Sequence, residues 1–295
     1  MTNFPVPFYI VDVFAEEKYA GNQLAVIRGD FPSDVMQKIA LEMNYAETTF
    51  ITSDSPRDGG YDVRIFTNNE ELPFAGHPTL GTAYIIAREL IGGAVDTVTL
   101  NLKVGQIPVK FERNSESDTL WMTQKAPQFG DIFDAAAFAA ALGLSVEDID
   151  TRFPIQTVST GLPWVMTPLK TRDAVERVRI NSDAYRQLVE GTDGRWALVF
   201  APEPIHADNH LHARAFVVDH VDVWEDAATG SANGGLAGYL ARYKYFGSES
   251  VDARVEQGYP MRRPSLLLLR SHDHGDVVDV HVGGHVVSIA RGELL

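Results

Sequence analysis

Two short stretches, one in each half of the chain, repeat one pattern that strongly constrains the possible fold. In the first, an Arg-x-Phe pattern at residues 64–66 is followed by a turn and the step Gly76-His77. In the second, the same pattern at residues 214–216 leads to Gly230-Ser231. The repeat predicts an internal duplication of a strand, a turn and a helix. Because a helix N-terminus presents unpaired N–H groups and partial positive charge, two such ends predict a site for a small anion.

Glycines inside the two predicted helices support the duplication. Gly81 and Gly235 each lie five residues after the glycine that opens the helix, and the second helix also contains Gly234 and Gly238. A glycine inside a helix costs about 1 kcal/mol relative to alanine, so close packing is the expected compensation. We therefore expect two similar domains, each with a sheet that wraps around a central helix.

The length of the chain and one proline-containing segment predict how the chain divides into domains. A chain of 295 residues is more naturally two domains than one. The segment Lys125-Ala126-Pro127 follows a block of strands and is the expected crossing between domains. We assign residues 1–122 with about 286–295 to the first domain, and residues 123–285 to the second.

Charge and cysteine content exclude several classes of function. The chain has 25 basic and 40 acidic residues, which argues against nucleic-acid or anionic-membrane partners. It contains no cysteine, so disulfides, thiolate metal sites and thiol catalysis are excluded. No apolar run reaches the length of a membrane span, and the first basic residue is Lys18. The expectation is a cytoplasmic enzyme or binding protein.

Hydrophobic periodicity predicts the elements that carry the candidate residues. A helix through Met36 has Ser33 or Asp34 available as its cap, and the first repeated helix is expected from about Thr79 to Leu90. The predicted strands are residues 8–14, 24–27, 47–51, 61–67, 97–102, 107–112, 118–122, 155–159, 164–167, 196–200, 212–218, 266–270, 277–282 and 286–290. The remaining predicted helices are residues 135–142, 173–178, 183–189 and 231–243.

Three polar residues near the repeated motifs are candidates for chemistry. Glu47 begins an otherwise apolar strand, and spacing alone favours a solvated carboxylate there. Asp226 lies four residues before Gly230, where a capping role and a catalytic role are equally compatible with the local sequence. His77, between Gly76 and Pro78, fits the first turn of a helix and is either an uncharged donor or a histidine satisfied by the turn.

The other histidines do not form a metal-binding pattern. His210 and His212 share one face of a predicted strand, and His272 and His274 flank a turn, but neither pair has a clear third ligand. The sequence also lacks an HExxH motif, a dinucleotide fingerprint and a nucleophile elbow. We therefore expect neither a metal nor a cofactor.

A series of motifs in the same order resembles the phenazine-biosynthesis (PhzF-like) isomerase family. The resemblance extends from about residue 10 to the C-terminus, and its most specific parts are the two Gly-polar helix starts. The motifs are Asp12-Val13-Phe14 with Gly21-Asn22, Glu47-Thr48-Thr49-Phe50, Arg64-Ile65-Phe66-Thr67, the stretch from Glu71 to Thr79, the stretch from Glu225 to Gly234, and Val282-Gly283-Gly284.

The resemblance implies the α+β, diaminopimelate-epimerase-like fold, with two similar domains that are each a curled, mostly antiparallel or mixed sheet around a central helix. It also implies an active site in the cleft between the two domains, and a homodimer. It also implies a cofactor-free acid/base isomerase acting on a small carboxylate substrate. The family's catalytic glutamate and histidine fall on Glu47 and His77, and its aspartate and serine on Asp226 and Ser231. The backbone N–H groups of the substrate-binding steps fall at Gly76 and Gly230, with Ala75 and Thr229 beside them.

Ala75 and Thr229 also separate this chain from its thiol-dependent relatives. Diaminopimelate epimerases carry a cysteine at each of these two positions, so racemisation by that route is excluded here. The chain departs from the family pattern at Ala227, at Asn68-Asn69 and over residues 217–224. These departures leave the catalytic set intact but do not define the substrate.

Three functions are consistent with these residues. The first is an isomerase that moves a proton within a small cyclic or unsaturated amino or hydroxy carboxylic acid. The second is an amino-acid racemase or epimerase that uses carboxylates in place of thiols. The third is a non-catalytic small-molecule-binding protein on the same scaffold. The complete set of Glu47, His77, Asp226 and Ser231 favours an enzyme.

Overall fold

A computed structural model describes residues 5–113, 117–219 and 222–295. The chain divides into two compact units. The first comprises residues 1–123 and 283–295, and the second comprises residues 124–282. Within the described ranges, no helix is both long and apolar enough to span a bilayer.

The first unit is a sheet with one helix at its centre and another on its outer side. Its strands are β1 (Val6–Val13), β2 (Asn22–Arg28), β3 (Glu47–Ile51), β4 (Tyr61–Phe66), β5 (Glu71–Leu72), β6 (Thr97–Leu102), β7 (Gly105–Glu112), β8 (Thr119–Thr123) and β18 (Val286–Leu294). Its helices are α1 (Ser33–Met43) and α2 (Gly76–Ile85), and α2 continues as a π-helical segment over Ile86–Ile91.

Helix α2 is almost completely buried because the sheet curls around it. It contacts β1, β2, β3, β6, β7, β8 and β18, and nine of its ten residues are buried. An added Cβ at Gly81 would lie 2.6 Å from Leu24 Cδ2 and 2.9 Å from Val13 Cγ2. Glycine is therefore required at this position by the close approach of β1 and β2, in agreement with the packing expected from the sequence.

The second unit contains the remaining elements. Its strands are β9 (Gln128–Phe133), β10 (Ile155–Ser159), β11 (Pro163–Pro168), β12 (Trp196–Ala201), β13 (Leu211–Val218), β14 (Val223–Asp226), β15 (Ser250–Gln257), β16 (Ser265–Asp273) and β17 (Val278–Gly284). Its helices are α3 (Ala135–Ala141), α4 (Arg172–Arg177), α5 (Ser182–Val189) and the buried α6 (Gly230–Arg242), and 3-10 turns lie at Val146–Asp148 and Tyr259–Met261.

The two units have the same order of strand pairing. In the first, β1–β2 is antiparallel, β2–β3 parallel, β3–β4 and β4–β5 antiparallel, β4–β6 parallel and β6–β7 antiparallel. In the second, β10–β11 is antiparallel, β11–β12 parallel, β12–β13 and β13–β14 antiparallel, β13–β15 parallel and β15–β16 antiparallel. In both, the buried helix follows the short strand. The predicted duplication is therefore present in the topology.

Two predictions about helix starts were wrong. Helix α1 has Pro32 at its N-cap without a side-chain cap bond, and Ser33 Oγ instead accepts from Arg64 Nη2 at 2.8 Å. Helix α2 begins at Gly76 rather than near Thr79. Pro78 is the third residue of this helix, where a missing N–H costs nothing because the first turn has no intrahelical acceptors.

Three strands of the second unit were not predicted, namely β9, β14 and β15. Charged residues interrupt their apolar pattern, as in the sequence SVDARVEQ of β15. Strand β15 is nevertheless central because it pairs with both β13 and β16. Pairing on both sides satisfies its backbone groups whatever its side-chain pattern.

Candidate active site

The first repeated motif forms the start of a buried helix. Ala75 is the N-cap of α2 with extended backbone angles, and its side chain supplies no cap bond. Gly76 and His77 are the first two helical residues, and both are buried. The N–H groups of this first turn point away from the helix, towards the direction in which an anion would approach.

Glu47 and His77 meet at this helix start. Glu47 is the first residue of β3, and its Oε2 lies 3.4 Å from Nε2 of His77. The Glu47 side chain is 17% exposed and that of His77 is 6% exposed. The separation is slightly long for a hydrogen bond. The solvated strand-end carboxylate favoured by spacing alone is therefore wrong for Glu47.

Burial determines the charge of His77. Removal from water lowers the pKa of His77 from 6.5 to about 3, and a hydrogen bond to the backbone of Gln23 opposes this effect only in part. The imidazole is uncharged at neutral pH, so its contact with Glu47 is not an ion pair. Because Nε2 faces Glu47, the bond to Gln23 uses Nδ1 as donor and leaves Nε2 as an acceptor.

The second repeated motif places its polar residues at the start of α6. Asp226 is the last residue of β14, and Thr229 is the N-cap of α6, again without a side-chain cap bond. Thr229 Oγ1 donates to Asp226 Oδ2 at 2.6 Å. Gly230 and Ser231 open the helix as Gly76 and His77 open α2. Thr229 rather than Asp226 therefore stands at the N-cap position, and Asp226 accepts a hydrogen bond from its hydroxyl.

An indole fixes the polarity of the Ser231 hydroxyl. Trp164 Nε1 donates to Ser231 Oγ at 3.1 Å, and Trp164 is fully buried. An indole N–H can only donate, so Ser231 Oγ accepts this bond and keeps its own proton for another acceptor. The proton of the Ser231 hydroxyl is therefore directed away from Trp164.

The Arg-x-Phe pattern corresponds to the same ion pair in each unit. Arg64 makes two bonds to Glu71, at 2.8 and 2.6 Å, and its guanidinium carbon lies 5.1 Å from the Phe66 ring centre. Arg214 makes two bonds to Glu225, at 3.0 and 2.8 Å, and its guanidinium carbon lies 4.6 Å from the ring centre of the following phenylalanine. Such bidentate pairs fix geometry as well as charge. The first pair joins β4 to the short strand β5, which precedes α2, and the second joins β13 to the short strand β14, which precedes α6.

Comparison with known proteins decides the family. A family model described as phenazine biosynthesis-like protein matches residues 11–292. The chain belongs to this family. The chain is 33% identical to a trans-2,3-dihydro-3-hydroxyanthranilate isomerase of Pseudomonas aeruginosa over 289 residues, covering 97% of this chain and 98% of the relative.

Solved structures agree with the observed fold. A phenazine biosynthesis protein of the PhzF family from Bacillus anthracis superposes with a TM-score of 0.90 at 25% identity, covering 99% of this chain and all of that one. A probable proline racemase from Agrobacterium radiobacter shares the fold alone, with a TM-score of 0.63 at 8% identity, covering 98% of this chain and 93% of that one. The predicted α+β, diaminopimelate-epimerase-like fold is confirmed.

Several residues that shape these helix starts were not identified from the sequence. They are Gln23 beside His77, Trp164 beside Ser231, and Gln257 beside Thr229. No local pattern marks them, because each is distant in sequence from the residue that it contacts. Nδ1 of His210 accepts from the backbone nitrogen of Arg254 at 3.1 Å, and Nδ1 of His212 lies 3.3 Å from Oε2 of Glu256. The described part of the chain contains no group of three or more possible metal ligands.

Proposed function

We propose that this protein is a cofactor-independent isomerase that moves a proton between two carbons of a small cyclic or unsaturated amino or hydroxy carboxylic acid. Glu47 is the acid/base, and His77, Asp226 and Ser231 orient the substrate's polar groups. The observation that carries the proposal is the contact of Glu47 with a buried, uncharged histidine at an uncapped helix start. The isomerase name of the P. aeruginosa relative supports the reaction class.

The proposed reaction needs one carboxyl group in two protonation states. Ionised Glu47 removes a proton from one carbon, and the C–H electron pair becomes part of a new double bond as the existing double bond shifts. Protonated Glu47 then returns the proton to the carbon at the other end of the shifted system. In between, Nε2 of His77 is an acceptor for the carboxylic-acid proton and holds it in place.

Each of the two helix starts is assigned a role in binding a substrate carboxylate. The N–H groups at Gly76 and Gly230 and the Ser231 hydroxyl are donors, whereas the protein as a whole carries a net charge of −15. Local dipoles, each contributing about 0.3–1 kcal/mol, therefore have to attract the anion against the overall field. Ala75 and Thr229 flank these donors as the N-cap residues. The homodimer implied by the resemblance is part of the proposal and is measured by light scattering.

Deuterium incorporation tests the proposed reaction. The purified protein is incubated with trans-2,3-dihydro-3-hydroxyanthranilate, and with a panel of amino acids, in deuterated water. Exchange at a ring or vinylic carbon together with a shifted double bond supports isomerisation. Exchange at Cα with loss of chirality identifies a racemase instead. Binding of these compounds without any exchange identifies a non-catalytic binding protein.

A further inference from the structure

We infer that Gln257 is a positioning residue that directs the hydroxyl of Thr229 onto Asp226 and so orients this carboxylate for substrate. The inference rests on the proposed function, in which Asp226 contacts the substrate, and it adds a residue that neither the sequence motifs nor the resemblance assigned. Gln257 is the last residue of β15 and is completely buried.

The orientation of the Gln257 amide is determined by two backbone groups of fixed polarity. Its Nε2 lies 2.8 Å from the carbonyl oxygen of Asp226, which can only accept. Its Oε1 lies 3.4 Å from the backbone nitrogen of Thr229, which can only donate. The side-chain amide of Asn233 also donates to Oε1 at 2.9 Å. Only one of the two amide orientations satisfies these contacts.

The amide in turn determines the direction of the Thr229 hydroxyl. Gln257 Nε2 donates to Thr229 Oγ1 at 3.0 Å, so this oxygen is an acceptor in that bond. Its own proton is donated to Asp226 Oδ2 at 2.6 Å. The three side chains form a relay of two hydrogen bonds, from Gln257 to Thr229 and from Thr229 to Asp226. The donor and the acceptor of each bond are determined, and Asp226 Oδ2 is the last acceptor. A hydrogen bond of this kind fixes a carboxylate in one rotamer.

The neighbours of Gln257 explain how a strand end comes close enough to the helix start. Gly258 has a φ of +78°, and an added Cβ there would lie 2.5 Å from the carbonyl oxygen of Ala227. Only glycine accommodates both the positive φ and this close approach. The preceding residue, Glu256, has an independent role, since it accepts from the backbone nitrogens of Ile205 and His206 at 2.7 and 2.8 Å.

The test uses Gln257→Glu, which keeps the shape and the Oε1 acceptor but removes the amide donor. With an ionised carboxylate at this position, the Thr229 hydroxyl turns its proton towards it and away from Asp226. We expect kcat/KM for trans-2,3-dihydro-3-hydroxyanthranilate to fall roughly 10- to 100-fold above pH 7, with the loss mainly in kcat. Lowering the pH protonates the introduced carboxyl, which can then donate again, so the activity relative to wild type at the same pH should recover.

A double-variant comparison separates the relay from a merely structural effect. Thr229→Val removes the hydroxyl through which Gln257 acts, and Thr229→Ser retains it and should restore activity. Adding Gln257→Glu to Thr229→Val should reduce kcat/KM further by less than about 2-fold, because coupled residues are not additive. Glu256→Gln is the matched control on β15 and should leave kcat per folded molecule unchanged. Multiplicative losses in the double variant would overturn the inference.

Crystal structures of wild type and Gln257→Glu provide an outcome that does not depend on turnover. The inference requires the contact between Thr229 Oγ1 and Asp226 Oδ2 to be present in wild type and broken in the variant, both crystallised above pH 7, where the introduced carboxyl is expected to be ionised. If the contact persists in the variant, Gln257 does not position Asp226. Failure of the wild-type protein to convert the dihydrohydroxyanthranilate or any other tested acid would instead count against the proposed function, while the crystallographic comparison still decides the relay.

Discussion

Nε2 of His77 faces Oε2 of Glu47 across 3.4 Å, at the point where β3 begins and α2 begins. Strands β3, β4 and β5 lie between these residues in the sequence. The fold brings them together because β3 pairs with β2, and His77 forms a hydrogen bond to the backbone of Gln23 in β2. Two predictions follow from this contact.

The first concerns catalysis by Glu47. Glu47→Gln keeps the size of the side chain but cannot carry a proton between carbons, so turnover should fall by at least about 10²- to 10⁴-fold. The measurement is deuterium incorporation into trans-2,3-dihydro-3-hydroxyanthranilate, with circular dichroism to confirm the fold. Glu42→Gln, at an exposed position of α1, is the control. Activity of Glu47→Gln close to that of the control would remove Glu47 from the mechanism.

The second concerns the pH dependence of stability. The pKa of His77 is about 3 in the folded protein, compared with 6.5 for an ordinary histidine, so the unfolded chain binds the extra proton first. This contribution to stability is complete above about pH 6.5 and is lost as the pH falls towards 3, by up to about 1.4 kcal/mol per pH unit. His77→Asn should flatten the curve of unfolding free energy against pH in this window. An unchanged slope would show that His77 is not buried in its neutral form.

A third prediction concerns the indole donor to Ser231. Trp164→Phe keeps most of the aromatic packing but removes the N–H that fixes the Ser231 hydroxyl. We expect the Kd of a carboxylate ligand, measured by calorimetry, to rise roughly 2- to 12-fold, corresponding to one hydrogen bond. Trp196→Phe is the control, since its ring packs 5.0 Å from that of Trp164 without this bond to Ser231. Equal effects of the two variants would assign the loss to packing.

A fourth prediction concerns the glycine inside α2. Gly81→Ala improves helix propensity, but the new methyl group would lie within 2.9 Å of Leu24 and Val13. Overpacking should dominate and lower the free energy of unfolding by about 1–3 kcal/mol. Gly93→Ala is the control, because an added Cβ there has no neighbour within 4 Å. Urea unfolding of both variants measures the two changes in unfolding free energy. A stabilised Gly81→Ala would contradict the packing around α2.

A fifth prediction compares the two repeated ion pairs. Arg214→Met leaves the Glu225 carboxylate without its bidentate partner in a site where the Arg214 side chain is 7% exposed. The expected loss is about 3–5 kcal/mol of unfolding free energy. Arg64→Met should lower the unfolding free energy by less, because Arg64 is more exposed and Lys103 Nζ remains 2.8 Å from Glu71. A larger loss for Arg64→Met would contradict this order.

The sequence by itself determined the duplicated architecture. Three short patterns predicted it: the Arg-x-Phe strands, the Gly-polar helix starts and the glycines inside the helices. Each pattern predicts local structure from a few neighbouring residues, so it could be interpreted without the rest of the chain. Strand β3, for example, begins and ends at the residues expected from its apolar pattern. The motifs that include Glu47, His77, Asp226 and Ser231 were sufficient to identify the family.

Only the tertiary structure decided what surrounds these residues. Spacing alone favoured a solvated strand end for Glu47, but the fold places His77 beside it. For Asp226 the local sequence left a capping role and a catalytic role open, and the structure places Thr229 at the N-cap. Gln257 contacts Thr229 from 28 residues away and lies on a strand that the sequence did not predict. Such contacts depend on the register of pairing between distant strands, which no local pattern encodes, and burial then sets the charge and hydrogen-bond polarity of each group.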